Sequence, residues 1–352
     1  MGSLKITVIR PEELGASEVT TWHDLLRSRH ELVNPFLAPE FAQAVGRCRD
    51  DVRVAVIEES GRTAGFLPFQ RDRLGIGRPV GAGLTDAQGA ALAEGLELEV
   101  GALLKACGLS VWEFDHLVAD QFPAFHTSRH PSPVIDLRKG LPSNKTVKST
   151  MAKERKLERD IGAVRHDYAT TDPEALRTLL GWKSRQYRRT GRTDRFAAPW
   201  IVRLVEELLL IDTPGFGGVL DLVYADGLPV AGHFGLRSDK VLTGWFPAYD
   251  PAFSRYSPGL IHHLAMAREA AAHGIALIDL GRGAKEYKDK LSNGALTVAE
   301  GRLARATPAA ALHWATTVPV RALRNTVLAS PALRAPADRL LKTYGRLRNR
   351  TP

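Results

Sequence analysis

Cysteine is scarce in this sequence, which contains only Cys48 and Cys107 among its 352 residues. Neither cysteine belongs to a CxxC pair or lies at ligand spacing from a histidine. We therefore expect no zinc site and no other metal cofactor. Nothing in this pattern indicates a disulfide framework, which fits a reducing cytoplasm.

Long apolar runs are also lacking. No stretch reaches the roughly 18 apolar residues that a membrane-spanning helix needs. Residues 1–13 are charged and have no apolar segment of the kind found in signal peptides. Apolar residues make up 44% and charged residues 25% of the chain, which is typical of a globular protein. The sequence therefore predicts a soluble, cytoplasmic protein.

Acidic residues are nearly absent from the segment that runs from Arg302 to the C-terminus. This basic tail holds ten of the 48 basic residues and one of the 39 acidic residues, which gives it a net charge of +9. The rest of the chain is neutral. Apolar residues at helical spacing within the tail leave three interpretations open: packing on the protein body, weak binding to the anionic inner face of a membrane, or binding to RNA.

Several motifs of common enzyme classes are missing. There is no G-x-x-x-x-G-K-[ST] phosphate loop and no G-x-S-x-G nucleophile turn. None of the eleven histidines precedes an aspartate by five positions, which disfavours the H-x-x-x-x-D acyltransferases. The sequence Gly281-Arg282-Gly283 lacks the third glycine of a dinucleotide-binding fingerprint.

An internal repeat is present instead. Residues 52–72 and 219–239 each have the pattern of a hairpin, with the turn at Gly61 or Gly227. A helix-like run ending in glycine and a short apolar strand follow in both copies. One offset of 166 residues relates all three elements, although any two α/β units share part of this pattern. The repeat predicts domains at residues 1–140 and 141–300, followed by the tail at 301–352.

The second copy has a helix start that the first copy lacks. Its residues Arg255, Tyr256, Ser257, Pro258, Gly259 and Leu260 precede or open a helix. Unpaired backbone N–H groups and the helix dipole make such a start suitable for a phosphate or pyrophosphate. An ordinary N-cap is the alternative interpretation, because Ser-Pro-Gly is a common way to begin a helix.

Other candidate residues surround this helix start. His233 lies on a predicted strand between the small residues Ala231 and Gly235, which leaves room for a ligand or, alternatively, for simple packing. Gly244 interrupts the next strand and indicates a close approach of backbone or ligand. Charged and aromatic residues crowd the segment after the helix, which is typical of a site. This group comprises Asp279, Arg282, Tyr287 and Lys288.

The residues quoted above resemble a known family. The segments LPVAGHFGLRSDKVLTGWFPAYDPAFSRYSPG and IDLGRGAKEYKDKLSNG are similar to GNAT-type acetyltransferases of the group associated with cellulose biosynthesis, the CelD/BcsL-like group. The arrangement of two copies also resembles the Fem-type peptidyltransferases. The resemblance implies an α/β (α+β) fold with two tandem GNAT-like domains, each a twisted mixed sheet flanked by helices. The helical basic tail follows them.

The resemblance further implies a function. An acyl group, expected to be acetyl, passes from acyl-CoA to an amine or hydroxyl of a small-molecule or saccharide acceptor, in polysaccharide or secondary-metabolite biosynthesis. The CoA arm is expected in a gap between two splayed strands, at 240–250 and 276–281. The family's usual phosphate loop has a glycine where this chain has Pro258, which removes one amide donor.

Individual roles follow from this chemistry. We predict His233 as the general base, Tyr249 or Tyr287 as the acid, and Lys288 as a ligand for phosphate or carboxylate. Acyl-CoA is expected to contact Phe246, Arg282 and residues 255–260. Asp86 in a Gly-rich loop, Trp245 and Asp279 are predicted to form the acceptor pocket. Two alternatives are a Fem-like transferase that uses aminoacyl-tRNA, and a non-catalytic scaffold of a polysaccharide-synthesis complex.

Overall fold

The structure is a computed structural model that describes residues 4–29, 33–81, 83–283 and 286–317. Within these ranges the chain forms fifteen β-strands and eight α-helices, and residues 308–317 are also helical. The helices are α1 Ala16–Arg27, α2 Pro39–Cys48, α3 Val100–Ala106, α4 Lys145–Asp160, α5 Pro173–Arg189, α6 Pro199–Leu209, α7 Pro258–Ala272 and α8 Glu286–Leu291. The strands are β1 Leu4–Ile9, β2 Val52–Glu59, β3 Arg62–Arg71, β4 Ile76–Arg78, β5 Ala91–Leu92, β6 Val111–Val118, β7 His126–Asp136, β8 Val164–Asp167, β9 Asp212–Thr213, β10 Phe216–Ala225, β11 Leu228–Arg237, β12 Val241–Thr243, β13 Phe246–Tyr249, β14 Leu277–Asp279 and β15 Gly294–Ala304.

All these strands belong to one mixed sheet. Its main order is β1-β2-β3-β4-β6-β15-β7-β14-β12-β11-β10-β8, with β5, β9 and β13 paired at its sides. The strand β15 comes from the end of the second copy but lies between β6 and β7 of the first. The predicted domain limits at residues 140 and 300 stay predictions, and the sheet is continuous across both.

The two copies fold alike. Ala55 pairs with Leu67 in the first hairpin, and Asp221 pairs with His233, each exactly one repeat offset later, in the second. The turns are also alike, because Gly61 and Gly227 adopt φ of 78° and 76°. This backbone conformation is easily reached by glycine and suits a tight hairpin turn. The predicted tandem α/β fold is therefore confirmed.

A shared apolar core joins the two copies. Phe36 and Phe41 of the first copy contact Trp245 of the second edge to face, with ring centroids 5.2 and 6.1 Å apart. Trp22 stacks on Phe66 within the same core. Edge-to-face and offset stacked contacts are the favoured aromatic geometries. The core therefore fixes the first copy against the strands that form the candidate site.

None of the helices in the described ranges is long and apolar enough to cross a lipid bilayer. The start of the basic tail packs on the protein body, because Ala310 joins Ile76 and Val111 in a small apolar cluster. The remaining tail, from residue 318 onward, lies outside the described residues, and so do the predictions made for it.

Candidate active site

The sheet of the second copy opens at Gly244. The parallel strands β12 and β14 pair over three residues, from Val241 with Leu277 to Thr243 with Asp279. The N–H of Gly244 then donates to the carbonyl of Asp279 at 2.6 Å. Beyond this bond β13 pairs with β11 and leaves β14. A gap between two parallel neighbours results, at the place where the family resemblance implied splayed strands.

A cavity of about 850 Å³ lies beside β13, next to this gap. Its walls are the C-terminal half of α5, the strand β13, the first turns of α7 and the ring of Tyr287. This volume lies within the range of small-molecule and cofactor sites. Its lining residues comprise Lys183, Gln186, Tyr187, Thr190, Gly191, Arg192, Gly232, Pro247, Ala248, Tyr249, Ser254, Ser257, Pro258, Gly259, Leu260, His262, His263 and Tyr287.

The N-terminus of α7 opens onto the cavity. A Cβ added at Gly259 would have only the Tyr249 ring nearby, at 3.8 Å, so this position faces open space. Ser257 adopts φ 55°, and its hydroxyl accepts a hydrogen bond from Lys153 Nζ at 2.7 Å. A smaller cavity beside it is lined by three lysines, among them Lys145 and Lys290. Glu286 also lines this smaller cavity and pairs with Lys290, so the positive charge of the region comes mainly from the helix dipole, Lys145 and Lys153.

The structure brings together part of the predicted acyl-CoA site and both candidate acids. Tyr249, Tyr287 and residues 257–260 all line the cavity. Phe246 is buried in the core instead. The side chain of Arg255 is 67% exposed and stacks on the ring of Tyr256, whose hydroxyl donates to Asp160. These last two residues therefore brace the turn that precedes α7.

The premise for His233 as a general base is wrong. Its ring is fully buried and lies outside the cavity lining. A Cβ added at Gly235 would come within 2.4 Å of the His233 ring, so the small neighbour makes room for the imidazole rather than for a ligand. Its Nε2 accepts the N–H of Trp245 at 2.9 Å. His233 is thus not placed to take a proton from a bound acceptor.

The cavity contains residues that the sequence analysis missed. Lys183 is almost completely buried, and its Nζ donates to the carbonyl of Pro247 at 2.7 Å. Tyr187 lies one helical turn later, with its ring 5.4 Å from that ammonium group. The i, i+4 spacing of these two residues on α5 was a signal that could have placed them on one face.

His263 is another group that the sequence analysis missed. Its ring packs 5.0 Å from Tyr287, and its Nδ1 donates to the carbonyl of Gly259 at 2.6 Å. Burial, together with neighbouring His262, lowers the pKa of His263 to about 3. The imidazole is therefore neutral at physiological pH and offers Nε2 as an acceptor.

A loop of the first copy closes the other side of the gap. The indole N–H of Trp245 donates to the carbonyl of Leu84 at 2.9 Å, and Arg195 donates to that of Gly83 at 3.1 Å. The carboxylate of Asp86 lies against Gly281, where an added Cβ would be 2.7 Å from Oδ2. Gly281 has φ 72°, so both its conformation and its contact favour glycine.

Asp86 lies deep in a recess with 29% of its side chain exposed. Burial and the nearby carboxyl of Asp279 raise the pKa of Asp86 to about 6. Asp279 is itself buried and accepts hydrogen bonds from Asn34, Ser132 and the N–H of Gly281. Burial also raises the pKa of Asp279. The predicted pair Asp86 and Asp279 is thus brought together where the two copies meet.

Lys288 and Arg282 have their charged groups engaged by the protein. Lys288 is buried and donates to the carbonyl of Gly281 at 2.6 Å and to that of Arg282 at 3.1 Å. The Arg282 guanidinium contacts the carbonyl of Asp115 and the carboxylate of Glu300. These contacts hold the loop after β14 and do not match the predicted role as ligands of phosphate.

Comparisons with known proteins agree with this geometry. A family model described as an acetyltransferase (GNAT) domain matches residues 144–289. The C-terminal domain of a protein assigned as a lysylphosphatidylglycerol synthetase from Agrobacterium fabrum has a TM-score of 0.52 at 12% identity, over 85% of this chain and 97% of that chain. L-PGS from Bacillus licheniformis has a TM-score of 0.52 at 12% identity, over 86% and 96%. A conserved protein of unknown function from Bacteroides thetaiotaomicron VPI-5482 has a TM-score of 0.52 at 10% identity, over 86% and 100%.

Among curated proteins no sequence matches significantly. At 10–12% identity, the likeness to the solved structures concerns the fold alone. The second copy is thus similar to GNAT acetyltransferase domains over residues 144–289, and the first copy repeats its topology. The narrower assignment to the CelD/BcsL-like group stays a prediction.

Proposed function

We propose that this protein transfers an acyl group, expected to be acetyl, from acyl-CoA to an amine or hydroxyl acceptor. One observation carries the proposal: the cavity lies where β13 parts from β14 and is bounded by the open N-terminus of α7. A pyrophosphate fits this helix start, beside Lys153. The pantetheine arm would lie along β13, where an extended chain can pair with the free strand edge.

The edge of β13 offers an electrophilic site for the acyl oxygen. The carbonyl of Pro247 points to the cavity, since it accepts from Lys183 Nζ. Alternate residues of a strand point the same way, so the N–H of Tyr249 lies at the same edge. We assign this N–H and the Lys183 ammonium to the oxyanion that forms when the acceptor attacks the thioester carbon.

Proton transfer completes the reaction. Asp86 replaces His233 as our proposed base. Its carboxylate also lies outside the lining of the cavity, but unlike His233 it is partly exposed, in a recess at the end of β14. Its pKa of about 6 leaves it ionised at neutral pH. The acceptor nitrogen or oxygen bonds to the acyl carbon and gives its proton to Asp86. The carbon–sulfur bond breaks, and Tyr249 or Tyr287 gives a proton to the departing CoA thiolate.

The direct test uses full-length protein from which any affinity tag has been removed. Isothermal titration with acetyl-CoA should give one site per chain, and 3′-dephospho-CoA and pantetheine should bind progressively more weakly as phosphates are lost. Release of free CoA with a panel of amines and saccharides should reveal turnover. Absence of acetyl-CoA binding at millimolar concentration would rule the proposal out.

Two rival functions remain testable in the same preparation. A Fem-like transferase would need aminoacyl-tRNA, so its activity would disappear after RNase treatment. Two of the similar folds are L-PGS and a domain of a protein assigned as a lysylphosphatidylglycerol synthetase, so an aminoacyl donor is the first alternative to try. A scaffold of a polysaccharide-synthesis complex would bind neither donor.

The basic tail carries a separate proposal, weak association with an anionic membrane face. Its described beginning exposes Leu312 and Trp314, and Arg302 stacks on the Trp314 ring at 4.6 Å. Basic residues beside exposed apolar side chains suit an anionic lipid surface. Truncation after Ala304, the last residue of β15, removes Leu312 and Trp314 with the rest of the tail and should abolish co-sedimentation with phosphatidylglycerol vesicles at low salt. If the full-length chain does not sediment with these vesicles, the association is absent.

A further inference from the structure

Beside the cavity, a cluster of polar side chains lies in the core of the second copy. Asp221 on β10 is completely buried. Its Oδ2 lies 3.0 Å from Nε2 of His262 on α7 and 3.4 Å from Nε2 of His166 on β8. One oxygen and two ring nitrogens from three separate elements therefore lie within 4.8 Å of one another.

These three atoms are close enough to attract one another, but no pair of them has good hydrogen-bond geometry. In the described part of the chain, Asp221 Oδ2 and the Nε2 atoms of His166 and His262 are buried and have no hydrogen-bond partner. A buried polar atom without a partner costs about 1–3 kcal/mol. The spacing fits another arrangement, since ligand atoms about 2.1 Å from a tetrahedral metal ion lie about 3.4 Å apart.

A fourth residue fixes the orientation of the carboxylate. The N–H of Trp245 donates to Nε2 of His233, so the ring proton of His233 lies on Nδ1. That nitrogen is 3.4 Å from Oδ1 of Asp221. The second oxygen is thereby turned toward His166 and His262. Residues that hold a metal ligand in place in this way are a regular feature of metal sites.

The first copy shows that the fold does not require this cluster. By strand register, Ile6 takes the place of His166, Ala55 that of Asp221 and Leu67 that of His233. Ala55 and Leu67 are fully buried, and Ile6 packs against the same apolar cluster. The same scaffold is thus stable with an apolar interior, and the polar residues of the second copy need a separate explanation.

We propose that His166 Nε2, Asp221 Oδ2 and His262 Nε2 bind a divalent transition-metal ion, with His233 as the positioning residue for Asp221. Two imidazoles and a carboxylate are ligands that suit Zn²⁺ better than Mg²⁺ or Ca²⁺. Three protein ligands leave one tetrahedral position for water. His262 also lines the cavity. The ion would therefore link α7, whose N-terminus bounds the cavity, to strands β8 and β10. This inference differs from our sequence-based expectation of no metal.

Metal content decides the proposal, without any acyl donor and so independently of the proposed function. Tag-free, full-length protein is purified with Zn²⁺ and dialysed, and the metal is measured by inductively coupled plasma mass spectrometry. We expect about one Zn²⁺ per chain and a thermal midpoint that falls when a chelator is added. Replacement by Co²⁺ should give the visible absorption bands of a tetrahedral ion.

Matched variants assign the ligands. His166→Gln removes one ligand at a partly exposed position and should weaken Zn²⁺ binding at least about tenfold in a chromophore competition assay. His130→Gln removes a histidine outside the cluster and should change nothing. Asp221→Asn should act like His166→Gln. If these variants do not fold, the Co²⁺ spectrum of the wild-type chain still decides.

Two results would overturn the proposal. One is wild-type protein that binds Zn²⁺ no more tightly than about 100 μM, which corresponds to about 5.5 kcal/mol. The other is unchanged affinity in the folded His166→Gln and Asp221→Asn variants. Either result would leave Asp221 and its histidines as a buried ionic network without a metal.

Discussion

The two copies share one topology, but the gap between equivalent strands is open in the second copy and bridged in the first. In the second copy β13 leaves β14, and the gap holds the cavity. In the first copy Gln88 bridges the gap, because its backbone N–H donates to the carbonyl of His116 and its carbonyl accepts from Val118, both at 2.9 Å. The side chain of Gln121 then bonds both backbone groups of Ala90. The first copy is therefore closed by its own polar groups.

The helices beside the two gaps also differ, in length. The cavity helix α7 has fifteen residues, whereas its counterpart α3 has seven. The first copy consequently has no helix start where a phosphate would lie. Its contribution is instead the loop at Asp86, which lies against Gly281 of the second copy. The two copies are thus related scaffolds, and our proposal assigns the donor to the second copy and a wall of the acceptor site to the first.

We expect the largest effect from Asp86→Asn. This substitution tests whether the first copy supplies the catalytic base. The amide cannot accept the acceptor's proton, so kcat should fall about 100-fold or more while acetyl-CoA affinity stays unchanged. In the wild type kcat should rise with pH through about 6, the pKa of Asp86. This rise should vanish in the variant. Steady-state kinetics from pH 5 to pH 8 measure both effects.

The free energy of unfolding of Asp86→Asn provides an independent check on the pKa of Asp86. The pKa of Asp86 is raised from 3.8 to about 6, so folding favours its protonated form. This contribution is fully present below the unfolded pKa and is lost as pH rises through about 6. At neutral pH Asp86→Asn should therefore be more stable than wild type, by up to about 3 kcal/mol. Asp120→Asn, on the surface of the same copy, serves as the control. Full activity of Asp86→Asn would show that the first copy contributes to the form of the pocket but supplies no catalytic group.

His233→Leu copies Leu67 of the first copy into the second. The substitution removes the partners of the Trp245 N–H and of Asp221 Oδ1, and it should lower the free energy of unfolding by about 2 kcal/mol. Urea denaturation measures this loss. Because the ring lies outside the cavity lining, kcat of the folded variant should change less than about threefold. A 100-fold loss of kcat in a stable variant would instead restore His233 as the base.

Gly259→Glu tests whether only the second copy binds the donor. A carboxylate placed at the open start of α7 should repel phosphate and weaken acetyl-CoA binding at least about tenfold, or 1.4 kcal/mol. Gly259→Ala should bind normally, because the added Cβ makes only an ordinary contact with Tyr249. Ala93→Glu occupies the equivalent position of the first copy and should leave binding unchanged. Equal losses in both glutamate variants would contradict the comparison.

Much of this architecture was predictable from the sequence. The offset of 166 residues located both hairpins, and Gly244 marked the point where the strands part. The Ser-Pro-Gly start of α7 located a wall of the cavity. These features are local, because turns, strand glycines and helix starts depend on a few consecutive residues. Local rules therefore recovered the fold and one side of the site.

Residues that act through long-range contacts were harder to predict. The strand alternation correctly placed small residues beside His233, but it could not show that the imidazole itself fills their space. His166, Asp221 and His262 lie 55 and 41 residues apart, so no ligand spacing connects them in the sequence. Their convergence follows from strand register and helix docking. The resemblance to GNAT proteins did not supply this information either.

We expect the smallest effect from Gln121→Ala, which tests what keeps the gap of the first copy closed. The substitution removes the side chain that donates to the Ala90 carbonyl at 2.6 Å and accepts from the Ala90 N–H at 2.9 Å. Water can replace part of this contact, so we expect a loss of about 1 kcal/mol in the free energy of unfolding.

The backbone bridge at Gln88 remains in this variant, and the first copy still lacks a helix start beside the gap. Calorimetry should therefore give one acetyl-CoA site per chain, as in the wild type. A second acetyl-CoA site in the variant would mean that the Gln121 side chain alone prevents the first copy from binding the donor. Unchanged stoichiometry with lowered stability would show that the first gap is closed by its backbone, which a single substitution cannot reopen.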